Sequence, residues 1–396
     1  MSSPFTSIGD SLFDEKAVLR EDYQPDEILE RDDEIEQFSY ALQDILYGRA
    51  PENVMLYGKA GLGKTAVTTY LVRELHAKVT ETDGTDDLYT HEQNCNGNTL
   101  FQVVRRLVND LLPDHASLFP KRGLGTGDAF EELYEQLDRV GGTHLFILDE
   151  IDHLEDANTL LYELPRARSN GHVESAKLGV IGISNNYTFR DSLSPKVKDT
   201  LMETEISFSP YDAEELQTIL RTRADRGFVD GACDQSAIQL AAAVAARDAG
   251  NARQALDLLR TGGEVAEKAD DETVRDSHVE EARAIVQRGR AADKIRDQTE
   301  HAQLILEALA HLETAGSTPA RTKAIQSKYE TAADANATDP LTTLKSVQEH
   351  LSDLHMLGFL RRAERNKGKG GGKFFEYGLD IDPDVVIETR RRLDDA

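Results

Sequence analysis

The sequence predicts an α/β fold: a parallel sheet with helices, then a small all-helical segment, then three helices closed by a hairpin. Three observations predict it. "NVMLYGKAGLGKTAVTTYLVREL" is a short apolar strand that turns through glycines into a helix. "THLFILDEID" and "LGVIGISNN" are apolar runs with polar ends, as buried parallel strands have where an α/β sheet places its site. After about Thr299 the pattern changes to amphipathic helices and two short strands around a glycine-rich tip.

With 396 residues, two or three domains are expected, and 39% hydrophobic content is enough to bury real cores. No apolar run reaches about 18 residues, so no membrane span is expected. The start, "MSSPFTSIGDSLFDEK", lacks a basic segment followed by an apolar one and is not expected to be a secretory signal. Cys95 and Cys233 have no metal-ligand spacing, and a reducing cytosol suits them better than a disulfide. The formal charge of -27 is spread along the chain. That describes either a self-repelling soluble surface or a protein of a very salty cytosol, and the composition favours the second. Acidity normally argues against nucleic acid as a partner, but at 1 M salt the Debye length is only about 3 Å.

The first strand is Val54 to Tyr57, and the helix after the turn carries Val67, Tyr70, Leu71 and Leu75 on one face. The turn itself matches G-x-x-x-x-G-K-[ST] at Gly58, Gly63, Lys64 and Thr65. Glycine suits a loop whose backbone N–H groups must wrap phosphate oxygens, and the helix N-terminus adds a favourable dipole. Lys64 would reach β- and γ-phosphates, and the Thr65 hydroxyl would ligate Mg²⁺. Over about residues 98–139, Leu100, Val103, Val104, Leu107, Val108 and Leu111 outline one amphipathic helix. Phe130, Leu133, Tyr134 and Leu137 outline a second, with Lys121 and Arg122 at the turn between them.

The strand Leu145 to Leu148 delivers Asp149 and Glu150. Asp149 would hold Mg²⁺, and Glu150 would orient or deprotonate a water. The next strand ends at Asn185 and Asn186, where an amide either contacts phosphate or that water, or simply makes the turn. In "GNARQALDLLR", Ala252, Ala255, Leu256 and Leu259 make a buried helical face with Arg253 at its edge.

The last region reads as a helix at "TEHAQLILEALAHLE", a second at "TPARTKAIQSKYETAA", and a third with Leu344, Val347, Leu351 and Leu354 inward. "GFLRRAERN…GGKFFEYGLD" follows as two strands. Three helices and a hairpin make a winged helix, a helix-turn-helix variant. Its wing holds Arg361, Arg362, Arg365, Lys367, Lys369 and Lys373 against one acid, Glu364. Lysine and arginine there would meet the DNA backbone. The third helix shows Thr342, Lys345 and Ser346 early, then Glu349 and Asp353, so only its first turn is expected to reach bases.

The order of phosphate loop, "LDE", strand–Asn and "GNARQALDLLR" resembles an AAA+ ATPase. From about Leu12 to the C-terminus the chain resembles the archaeal replication initiators, related to the origin recognition complex large subunit and its helicase-loading partner. The resemblance implies an N-terminal tail (1–20), an AAA+ core (21–209), a helical lid (210–298) and a winged-helix DNA-binding domain (299–396). It implies ATP/ADP and Mg²⁺ as ligands, bound by Gly58, Ala60, Gly61, Leu62, Gly63, Lys64, Thr65 and Ala66. In "LREDYQPDEILER" it puts Tyr23, Pro25 and Arg31 near the nucleotide, and in "PYDAEELQTILRTRA" it adds Tyr211 and Arg223. Asn185 becomes sensor 1 and Arg253 sensor 2. Lys121 and Arg122 become DNA contacts, because the family presses its insertion on DNA.

As implied partners stand double-stranded origin DNA, the replicative minichromosome-maintenance helicase and other initiator copies, in a cytoplasmic, nucleoid-associated protein. The implied function is an ATP-dependent initiator that binds origin duplex and helps load the helicase, switched by slow hydrolysis. One departure is "LSPKVKDTL", where Lys196 replaces the family's trans-acting arginine and lacks its planar fork. That departure supports the first of two alternatives. One is an initiator-derived regulator or plasmid-maintenance protein using ATP as a structural ligand, and the other is a general AAA+ remodelling enzyme such as a clamp loader.

Overall fold

Strand order explains why one edge of the parallel sheet gathers the chemistry. In the computed structural model, which describes residues 11–82, 84–113, 115–201, 203–366 and 373–394, the chain divides into two compact units, residues 1–279 and 280–396.

The first unit begins with a 3₁₀ turn at Lys16–Leu19 and helix α1 (Asp32–Leu42). Strand β1 (Val54–Tyr57) is buried at every position and leads into α2 (Lys64–Glu81). Next come β2 (Leu88–Asn94), α3 (Leu100–Leu111), α4 (Thr126–Val140) and β3 (Gly142–Asp149). Then follow α5 (Ala157–Arg166), β4 (Ala176–Ser184), α6 (Phe189–Ser192), α7 (Pro195–Leu201) and β5 (Thr204–Ser207). The sheet order is β2-β3-β4-β1-β5, with every pairing parallel. Tyr57 stands beside Ser184 and Ser207, and Asn94 beside Asp149, so all five strands end together on one edge of the sheet. Ligands bind in α/β sheets outside such carboxyl ends.

The insertion is a helical hairpin. A Thr99–Gln102 capping box starts α3 by satisfying two orphan N–H groups. Val103, Val104, Leu107 and Val108 of α3 bury against the same core as Phe130, Leu133 and Leu137 of α4. The helical segment that follows is α8 (Ala213–Gly227), α9 (Gln235–Asp248) and α10 (Ala252–Lys268). Asp212 caps α8 in a second capping box with Glu215, and the Asn251 side chain accepts the Gln254 N–H at 2.6 Å to cap α10. The division between the units falls within α11 (Asp276–Arg296).

The second unit contains α12 (Glu300–Thr314), β6 (Ala320–Arg321), α13 (Thr322–Ala335) and α14 (Leu344–Met356). It ends with β7 (Leu360–Asn366), β8 (Lys373–Leu379) and α15 (Pro383–Asp394). The strands form an antiparallel sheet in the order β6-β8-β7. Its core sits on α12, where Leu304, Ile305, Leu306 and Leu309 are buried with Ile325, Tyr329, Val347 and Leu351. Leu344, expected inward, is half-buried at the first turn of α14. This is a winged helix: three helices and a hairpin, with α15 added behind.

Candidate functional site

The turn after β1 holds its shape through glycine. Gly61 and Gly63 have φ of 80° and 93°, a region closed to most side chains. Gly63 is the residue before α2, so the loop's N–H groups and the helix N-terminus face one space. Lys64 is only 4% exposed. Its Nζ donates to the Gly58 and Lys59 carbonyls at 2.6 and 2.9 Å and to Asn185 Oδ1 at 2.9 Å. Burial lowers the Lys64 pKa to about 8, against the raising effect of Asp149 and Asp152.

Thr65 Oγ1 donates to Asp149 Oδ2 at 3.0 Å, joining the first turn of α2 to the tip of β3. Burial raises the Asp149 pKa, although the Thr65 hydroxyl and the Glu150 N–H oppose it. A carboxylate held up by desolvation beside a hydroxyl is a donor set that suits a hard divalent cation. Glu150 sits at φ 53°, a strained backbone for a residue with a side chain and one met at functional sites. Its carboxylate accepts from Asn185 Nδ2 at 3.3 Å and from Asn94 Nδ2 at 3.5 Å. The Asn185 amide thus touches Lys64 on one side and Glu150 on the other.

These groups line a cleft of about 640 Å³, within the usual range for ligand sites. Ala60, Gly61, Gly63, Lys64, Thr65 and Ala66 form its floor; Asp149, Glu150, Asn94 and Asn185 form one end. Tyr211, Arg223 and Arg253 come from the helical segment, and Tyr23 and Pro25 from the leading segment. Arg223 lies over the Tyr23 ring at 4.5 Å, while Arg253 is half-exposed and paired with Glu21 at 2.9 Å.

Three expected residues are placed differently. Gly58 and Leu62 are not in the cleft lining, and the Leu62 side chain is fully buried beneath the loop. Arg31 is also outside the lining: its guanidinium is buried and engaged by protein groups. Lys196 lies apart from the cleft with its Nζ 3.8 Å from the Tyr162 ring centre, in a groove shared with Arg166. Asn94 had no motif to announce it, since its strand is polar. Its only signal is position, at the tip of the strand beside Asp149.

The basic groups form two patches, one in each unit. Lys121 and Arg122 are exposed at the α3–α4 turn, between the exposed side chains of Leu118 and Leu124. In the second unit Thr342 lies just ahead of α14 rather than on it, because Thr343 is the cap. Ser346 Oγ is 2.8 Å from Thr343 Oγ1, and Lys345 faces Glu349 at 3.7 Å. On the hairpin, Arg361 pairs with Glu313 at 3.3 Å, Arg365 with Glu376 at 3.2 Å and Lys373 with Glu364 at 2.7 Å. Arg362 lies over the Phe375 ring. Lys367 and Lys369 lie outside the described residues.

The phosphate cradle, the acid-tipped strand and the helical segment over them define a P-loop ATPase of the AAA+ class, joined to a winged helix. An AAA ATPase domain matches residues 27–174, a Cdc6 AAA+ ATPase-type lid domain residues 217–284, and a CDC6 C-terminal winged helix domain residues 293–389. The chain is 47% identical to ORC1-type DNA replication protein 8 of Halobacterium salinarum over all of both chains. It is 42% identical to ORC1-type DNA replication protein 11 of Haloarcula marismortui, over 97% of this chain and 92% of that one. The solved structure of Aeropyrum pernix ORC1 in complex with DNA matches with a TM-score of 0.84 at 34% identity, covering 97% of this chain and 98% of that chain. The chain belongs to the Cdc6/ORC1-type family of DNA replication proteins. Halobacterium and Haloarcula are halophilic, in keeping with the acidic composition.

Proposed function

We propose that this protein is an ATP-switched replication initiator that binds duplex origin DNA and helps load the minichromosome-maintenance helicase. The observation that carries the reading is the likeness to Aeropyrum pernix ORC1, a protein solved with DNA, across cradle and winged helix together. ATP with Mg²⁺ would supply the transferable phosphoryl group and the cation that neutralises its charge. Lys64 would hold the outer phosphates, with Thr65 and Asp149 as cation ligands. Glu150 would orient or deprotonate the attacking water, fixed by Asn185 and Asn94. Asn185 also reaches Lys64, so it would sense the terminal phosphate, and Arg253 would close over the cleft from the lid with Tyr211 and Arg223.

Hydrolysis would be slow and switch-like. In this reading Lys121, Arg122, the start of α14 and the wing contact DNA, other initiator copies bind nearby, and the protein works at the nucleoid in the cytoplasm. The test is chromatin immunoprecipitation of the tagged protein in its host, beside Glu150→Gln. Sharp peaks at replication start sites, altered by the substitution, are expected. Peaks at promoters, or none, would favour the second reading, a regulator with ATP as a structural ligand. Lys196 gives that reading its footing, because lysine lacks a planar fork.

A further inference from the structure

Arg31 is buried, charged and outside the cleft, which calls for a reason. Its Nε donates to the Leu62 carbonyl at 3.1 Å and its Nη2 to the Ser209 carbonyl at 2.8 Å. Nη1 meets Glu34 at 3.1 Å, and the guanidinium carbon Cζ lies 3.6 Å from the Tyr211 ring centre. One side chain therefore joins α1, the phosphate loop and the link from β5 into the lid.

The neighbouring carbonyls of the loop are held in the same way. The Ala252 N–H, at the start of α10, donates to the Gly61 carbonyl at 3.1 Å. Lys64 holds the Gly58 and Lys59 carbonyls. In a planar trans peptide the C=O and N–H point in opposite directions. Anchoring the Leu62 carbonyl to Arg31 thus fixes the direction of the Gly63 N–H, and anchoring the Gly61 carbonyl to α10 fixes the Leu62 N–H. Two of the four tied carbonyls are held by groups that also belong to, or touch, the lid.

We infer that Arg31 is a positioning residue: it orients the 62–63 peptide for a phosphate and ties that orientation to the lid through Ser209 and Tyr211. It rests on the nucleotide reading of the cleft and deepens it. A lid displacement that pulled Ser209, Tyr211 and α10 away would free the Gly61 carbonyl, take from Arg31 the partners that steady it against the Leu62 carbonyl, and let the N–H groups turn. Phosphate release and lid opening are then one event. Gly63 belongs to the same contact, since a Cβ there would stand 2.9 Å from the Tyr211 hydroxyl.

The discriminating probes are ADP, whose β-phosphate needs the loop, and AMP, which lacks it. With the full chain in concentrated KCl, affinities of both and the release rate of a fluorescent ADP are measured for Arg31→Lys. Glu34→Gln is the milder companion should Arg31→Lys fold poorly. Arg31→Lys is expected to weaken ADP about tenfold, the size of one charge-assisted hydrogen bond, with faster release. AMP affinity should stay unchanged, and Glu34→Gln should shift ADP in the same direction by less. Equal loss for ADP and AMP would make Arg31 a base or ribose contact and overturn the inference. A lower melting temperature with ADP affinity and release unchanged would reduce it to a structural residue and overturn it equally. Wild-type protein that binds no ADP would instead sink the nucleotide reading itself.

Discussion

Glu150 and its two amides argue for a narrow chemical role at the residue scale. The carboxylate is aimed by Asn185 and Asn94, so its loss should affect turnover more than binding. Glu150→Gln is expected to lower phosphate release by roughly 10²-fold or more, in the range of a lost general base, with ATP affinity within about threefold. Asn94→Ala should lower turnover by about tenfold, as one aiming hydrogen bond would. An Asn94→Ala enzyme with unchanged turnover would remove that residue from the site.

A second residue-scale prediction concerns pH. His144 Nε2 meets the Gly141 carbonyl at 2.8 Å and must donate. Its Nδ1 is then the acceptor for His91 Nε2 at 3.0 Å, and both rings are neutral. Burial first, then His144, lower the His91 pKa from 6.5 to about 4. The folded state therefore resists a proton that the unfolded chain accepts. The contribution is fully present above pH 6.5 and is lost as pH falls from 6.5 towards 4. The difference corresponds to about 3 kcal/mol. Urea midpoints should drop across that window in the wild type and drop less in His91→Phe. Parallel pH curves for the two proteins would contradict the assignment.

Among elements, the α3–α4 hairpin separates packing from function. Its inner faces are buried, whereas Lys121 and Arg122 stand out at the turn. Lys121→Glu with Arg122→Glu should leave melting within about 0.5 kcal/mol, as surface changes do. If the tip contacts phosphates, the same pair should weaken duplex binding by about tenfold or more, since phosphate contacts dominate affinity. Electrophoretic mobility shifts with unchanged affinity would make the tip a solvated loop.

The elements that periodicity made legible were those with a continuous apolar face: β1, α3, α4, β3, β4, α10 and the winged-helix core. β2 was not legible, because two of its three buried positions are His91 and Gln93. Those polar groups tolerate burial only through His144 and Asp110, partners 53 and 17 residues away. Asn94 was missed with its strand. The cradle was readable because glycine, lysine and threonine are needed at fixed spacing. Arg31 shows the reverse: its place near the loop was legible by resemblance, but its binding to carbonyls rather than to the cleft depends on tertiary contacts.

At the scale of the whole molecule, a charge of -27 must be reconciled with the duplex partner proposed above. In the proposed reading the wing is where the two meet. Arg361, Arg365 and Lys373 each face a carboxylate. Such exposed pairs add little stability and break readily. Their weight would lie in binding: where a phosphate replaced the carboxylate, the acid would stay beside the DNA and repel it. The net number of counterions released would then be smaller than the number of wing cations. Affinity should fall less steeply with salt than those cations suggest, with base contacts and DNA shape supplying more of it. A gentle slope is expected between about 0.5 and 2 M KCl, and Glu364→Gln, which removes the acid facing Lys373, should raise affinity and steepen the slope by about one unit. Mobility shifts over that range decide it. A steep wild-type loss, or a Glu364→Gln slope identical to wild type, would show that the wing's acids do not offset its cations on DNA.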